Sequence, residues 1–98
     1  MDIVEAQELM RRIYYQRDST RGVDRTLIRT FEELGELSDA VLRRKNHAAI
    51  ADEMADVLAW VCSFANLLNV DLSAALAKKY NGVCPRCKKA PCECTDTP

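Results

Sequence analysis

Residues 31–70, FEELGELSDAVLRRKNHAAIADEMADVLAWVCSFANLLNV, hold two acidic clusters followed by a neutral run. Glu32, Glu33 and Glu36 make the first cluster, Glu53 and Asp56 the second, with sixteen residues between Glu36 and Glu53. At about 100° per residue, Glu32 and Glu36 fall about 40° apart on a helix, and Glu33 lies about 60° from Glu36. Glu53 and Asp56 share a face in the same way. From Val57 to Val70 no residue carries a charge. A carboxylate at the mouth of such a stretch faces a desolvation cost of several kcal/mol unless a cation or strong donors meet it. Antiparallel helices would turn both acidic faces into one gap, as in bundles that bind metals through carboxylates. Oxygen ligands with no nearby Cys or His favour Mg²⁺ or Mn²⁺ over zinc. The first cluster alone reads as a solvated face; the second pair, abutting a neutral run, argues for a site. Asp39 and Asp52 are left as outer or surface groups.

The periodicity around this stretch predicts four helices. Ile3, Ala6, Met10 and Ile13 define one face of a helix over residues 2–17, with Asp2 and Glu5 as a capping box. The polar run from Arg17 to Gly22 reads as a loop. A second helix spans about 24–44, with Leu27, Phe31, Leu34 and Val41 as its inner stripe. Asn46 caps a third that lasts to about Leu68, and Asp71 caps a fourth that Gly82 ends. Gly35, inside a helix at a cost of roughly 1 kcal/mol, suggests close approach by a ligand or backbone. The expected fold is all-α, a four-helix antiparallel bundle over residues 1–82, with a cysteine-rich, zinc knuckle-like tail over 83–98. The third helix is apolar nearly all round from Met54 to Leu68, which predicts burial on several sides and hence a homo-oligomer, dimer or tetramer.

Composition agrees with one soluble domain. The chain has 98 residues, 48% apolar and 30% charged, with a net charge of −1. That balance argues against a surface built for nucleic acid. Asp2 and Glu5 break the start a signal peptide would need, and the neutral segment is too short to span a bilayer. The expected location is the cytoplasm, with no membrane partner.

Glu32-Glu33-Leu34-Gly35-Glu36, then Glu53-Met54-Ala55-Asp56 after sixteen residues, resembles the signature of the MazG-like nucleoside triphosphate pyrophosphohydrolases. The resemblance covers roughly residues 5–81, including the apolar helix after Asp56 and Lys78-Lys79-Tyr80-Asn81; the tail from Val83 lies outside it. It implies Mg²⁺-dependent hydrolysis of a nucleoside triphosphate to the monophosphate and pyrophosphate, as nucleotide-pool housekeeping. It implies Glu33, Glu36, Glu53 and Asp56 as metal ligands, and Glu32 as the group that orients or deprotonates water. Lys78, Lys79 and Asn81 match positions that meet the nucleotide, although cations also suit a helix C-terminus. Relatives acting on dUTP, dCTP or phosphoribosyl-ATP are the nearest alternatives. A zinc-knuckle adaptor for nucleic acid or protein is the alternative of another class.

Trp60, one turn beyond Asp56, is either a core aromatic or a stacking surface for a base. Arg17 and Arg21 either reach phosphate or decorate the surface. His47 and Cys62 read as a surface residue and a small buried hydrophobe. Cys84, Cys87, Cys92 and Cys94 follow a Cys-x₂-Cys…Cys-x-Cys pattern that can wrap one structural Zn²⁺; a flexible, redox-active tail is the alternative.

Overall fold

A computed structural model describes residues 1–95 and shows four helices. They are α1 (Ile3–Arg21), α2 (Val23–Leu42), α3 (His47–Leu67) and α4 (Leu72–Lys79). No strand occurs among the described residues. The expected start signals are all in place. Asp2 and Glu5 form the capping box, Asn46 accepts from the Ala49 N–H at 2.9 Å, and Asp71 accepts from the Ala74 N–H at 3.0 Å. Each satisfies an N–H that the helix itself leaves unpaired.

The first connection differs from expectation. Residues 17–21 are helical, and Gly22 alone separates α1 from α2. Its φ of 89° and ψ of 166° lie in a region that residues with side chains avoid, so one glycine turns the chain where a loop was expected. Of the two approaches expected at Gly35, by ligand or by backbone, the second is absent. A Cβ there would meet no atom within 4 Å, so no backbone approaches it in this chain.

The central helix is α3, which packs along both α1 and α2, while α4 bends away by 100° and lies against α1. A polar clamp fixes this corner. Asn66, buried at 3% exposure, accepts from Gln7 Nε2 and from Arg11 at 3.1 Å and donates to the Gln7 carbonyl. Gln7 also donates to the Val70 carbonyl and accepts from the Leu72 N–H, tying α1 to the start of α4.

The interior is small and unusually polar. Among the described residues the buried apolar side chains are Ala40, Cys62 and Ala65, whereas Asp18, Thr26, Glu33, Ser63 and Asn66 are buried polar ones. The inner face of α2 carries Thr26, Thr30, Glu33, Leu37 and Ala40. Leu27, Phe31, Leu34 and Val41, expected to face inward, are exposed, Phe31 at 75%. The two stripes have the same spacing but sit one residue apart, about 100° around the helix. Helical period alone could not choose between them. The radius of gyration, 15.7 Å, also exceeds the ~13 Å of a compact chain this long.

Asn66→Ala should cost about 1–3 kcal/mol, because it removes three hydrogen bonds from a part-buried corner. Urea denaturation monitored by helical circular dichroism reads this. A midpoint equal to the parent's would show that other contacts hold α1.

Candidate active site

The acids of α2 and α3 do converge. Glu33 on α2 with Glu53 and Asp56 on α3 bring carboxylate oxygens within 4.8 Å of one another. The helical spacing Glu53-x-x-Asp56 puts both α3 acids on the face toward α2. Glu33 is buried at 7% exposure, Glu53 half-buried and Asp56 exposed, so the cluster opens from the helix interface toward solvent. Glu33 Oε2 and Glu53 Oε2 are buried and accept no hydrogen bond.

Arg29, one turn before the cluster, is the cation beside it. Its guanidinium is 3.5 Å from Glu33 Oε1 and 3.6 Å from Glu32 Oε2. The Glu33 carboxyl is nonetheless held above its usual range. Burial is the main cause, followed by Glu36, with which it can share a proton, and by the charges of Glu36 and Asp56; Arg29 opposes the shift. Glu36 therefore faces Glu33 at the edge of the cluster. Glu32 stands outside it, half exposed and bound to Arg29.

Beside Asp56, between α1 and α3, lies a cavity of about 240 Å³ whose wall includes Tyr14, Arg17, Asp18, Arg21, Asp56 and Trp60. Asp18 is buried at 2% exposure and takes Arg21 in an ion pair at 2.8 Å, leaving its other oxygen unbonded. The Trp60 ring is a platform for two cations, with Arg21 at 4.7 Å and Arg29 at 5.2 Å from its centroid. Arg17, Arg21, Arg25 and Arg29 recur every fourth residue across Gly22, a basic edge next to the acidic cluster. Asp18 and Arg29 were not singled out from the sequence. Reading residues 17–22 as a loop hid the helical Asp18–Arg21 pairing, and the Arg29–Glu32/Glu33 spacing of three and four was there to be used. Lys78, Lys79 and Asn81 are exposed at the end of α4 and do not line the cavity.

The tail holds a second metal-competent group, the sulfurs of Cys84, Cys87, Cys92 and Cys94. The backbone N–H groups of Cys87 and Arg86 pull the Cys84 thiol down to about 6.

The all-α chain thus carries a carboxylate cluster between two helices, and beside it a cavity whose wall presents two arginines and two aspartates. Its sequence matches the MazG nucleotide pyrophosphohydrolase domain over residues 21–88, and the chain belongs to that family. The match runs past Val83 into the first cysteine pair and stops before Cys92 and Cys94. A comparison with curated proteins gave no match.

Because folding raises the Glu33 pKa above 4.5, its contribution to stability is full below that value and is lost as the pH climbs through the folded value. Without divalent ions, Glu33→Gln should therefore melt at or above the parent temperature at pH 7, and should flatten the parent's gain in stability on acidification. Calorimetry in chelator measures both. A fall of more than about 1 kcal/mol at pH 7 would mean that the Arg29 pair outweighs the burial and repulsion.

Proposed function

We propose that this chain hydrolyses a nucleoside triphosphate to the monophosphate and pyrophosphate with Mg²⁺, or Mn²⁺, as cofactor, in the service of nucleotide-pool housekeeping. The observation that carries the reading is the pair of buried oxygens, Glu33 Oε2 and Glu53 Oε2, that accept no hydrogen bond within a cluster of three acids. Such a cluster is costly alone and favourable around a small hard cation. Glu33, Glu53 and Asp56 would hold the ion, with Glu36 beside Glu33 as a fourth oxygen donor. A divalent ion there would neutralise phosphate oxygens and acidify a bound water.

The chain's own groups do the remaining work. Arg21, fixed by Asp18 and Trp60, and Arg17 offer positive charge to the triphosphate in the cavity beside Asp56. Holding Arg21 in advance lowers the entropy lost when the anion arrives. Glu32, which shares Arg29 with Glu33, orients or deprotonates the attacking water. A carboxylate in that position needs no large pKa shift. Trp60 and Tyr14 give the cavity an aromatic wall for the base. Lys78, Lys79 and Asn81 would reach the nucleotide only from beyond this cavity, across a subunit contact.

The working unit in this reading is a homo-oligomer. Leu27, Phe31, Leu34 and Val41 of α2 and Met54 and Leu58 of α3 are all exposed. The accessible surface of 7619 Å² is roughly 1,900 Å² more than a compact chain of this mass presents. A standard interface covers about 800 Å² per partner. A second copy laid on the α2 face would therefore cover somewhat under half of this excess.

The decisive assay incubates purified protein with Mg²⁺ and a panel of ribo- and deoxynucleoside triphosphates, and separates pyrophosphate from orthophosphate. Pyrophosphate release should persist after deletion of residues 83–98 and drop in Glu36→Ala and Asp56→Ala by at least the ~10–100-fold typical of losing a group that merely supports a metal's ligands. Parent-like rates in both alanine variants would sink the site assignment, and no turnover by any form would favour an adaptor. Saturating Mg²⁺ should also stabilise the parent by about 2.7 kcal/mol at 100 times its Kd, and Glu33→Gln should not respond.

Sedimentation tests the assembly separately. The parent should run as a dimer or larger at micromolar concentration, and Phe31→Glu with Leu34→Glu should shift it toward monomer. A parent that stays monomeric would remove the oligomer from this reading.

A further inference from the structure

The carboxylate site makes no use of the four tail cysteines, and their geometry is that of a site in its own right. They come from residues 84–94, and their sulfurs all lie within 4.8 Å of one another. Cys84 Sγ is 3.7 Å from Cys94 Sγ, and Cys87 Sγ is 3.8 Å from Cys92 Sγ. None is in a disulfide, in which the sulfurs would stand about 2.05 Å apart. Thiolates at about 2.3 Å around one tetrahedral ion are separated by about 3.8 Å, which is the spacing of both pairs.

The backbone is shaped to the same end. The Lys88 N–H donates to the Cys84 carbonyl at 2.8 Å, and the Cys84 N–H donates to the Lys89 carbonyl at 3.0 Å, closing the Cys-Pro-Arg-Cys turn. Lys88 takes a φ of 62°, which reverses the chain directly after Cys87. The N–H of Glu93 points at Cys87 Sγ at 3.3 Å, and that of Cys94 at Cys92 Sγ at 3.4 Å. Donors aimed at sulfur suit thiolate ligands. Four thiolates around a divalent ion leave a net charge of about −2. Lys78, Lys79, Arg86 and Lys88 bring positive charge to this end of the chain, while Lys89 is ion-paired at 2.7 Å with Glu93, which lies between the last two cysteines.

We propose that Cys84, Cys87, Cys92 and Cys94 bind one Zn²⁺ that staples the tail locally and is independent of the acidic site. A four-thiolate tetrahedron selects zinc or iron among common metals. Binding replaces the S–H protons, which pass to solvent, and changes no oxidation state. All four ligands belong to one short segment, so the ion closes only small loops and orders nothing in α1, α2 or α3. The helical domain folds with or without it.

The test uses the full chain purified under reducing conditions without added metal. Elemental analysis should find one zinc per chain in the parent and in Glu36→Ala, and background levels in Cys87→Ser and Cys92→Ser. Cobalt added to stripped protein should give the ligand-field bands of a tetrahedral tetrathiolate centre in the parent and not in either serine variant. Helical circular dichroism, its melting midpoint and nucleotide hydrolysis should be unchanged in Cys87→Ser. Zinc-free parent that takes up no cobalt, zinc retained by both serine variants, or iron in place of zinc would overturn the assignment. Loss of helix on stripping the metal would overturn its local role. The zinc, cobalt and circular dichroism readouts do not depend on whether the acidic site turns over nucleotides.

Discussion

The structure depends on one electrostatic constraint, the meeting of α2 and α3 through acids of the same sign. Glu33 is buried in that contact, and Glu53 and Asp56 approach it from the other helix. Arg29 answers part of the charge from a neighbouring turn, and Glu36 adds to it. Among the described residues only Ala40 of α2 and Cys62 and Ala65 of α3 are fully buried apolar side chains. The fold holds the helices in place by other means, namely three N-terminal caps and the Gln7–Asn66 clamp at the far end. The clustered acids thus lie at one end of the bundle and the amide clamp, joined by Arg11, at the other.

The same constraint accounts for the inverted look of α2. A helix has room for one inward stripe, and here that stripe carries Thr26, Thr30 and Glu33. Thr26 is fully buried, with the Thr30 hydroxyl bonded to its carbonyl at 2.8 Å. The displaced leucines and Phe31 occupy the adjoining face and meet solvent. A polar inner stripe and an exposed apolar row of Leu27, Phe31, Leu34 and Val41 are two sides of one allocation.

Much of this was legible in the residues. Caps are local chemistry, so Asp2, Asn46 and Asp71 announced their helices. The pairing of Glu33 with Glu53 and Asp56 followed from spacing, because two acids three residues apart share a face whatever surrounds them. What failed was the choice of the inner face of α2, since ranking by hydrophobicity assumes that a single chain buries its own apolar stripe. The Arg17–Gly22 run failed for a different reason. Its polarity looked like a loop, whereas Asp18 and Arg21 are polar because they are paired beside a cavity. Glu32 and Glu33 share Arg29, but the shift of one residue along the helix leaves Glu32 half exposed while Glu33 is buried with Glu53 and Asp56.

The single-residue corner at Gly22 has a consequence for how this chain could diversify. Its torsion angles are open to glycine alone, so the relative setting of the first two helices is frozen at a position with no chemical group to vary. The guanidinium ladder crosses that corner, with two rungs before it and two after. Variation along this edge is then open at the rungs and at the Trp60 ring beside two of them, whereas a side chain at the pivot would strain the backbone.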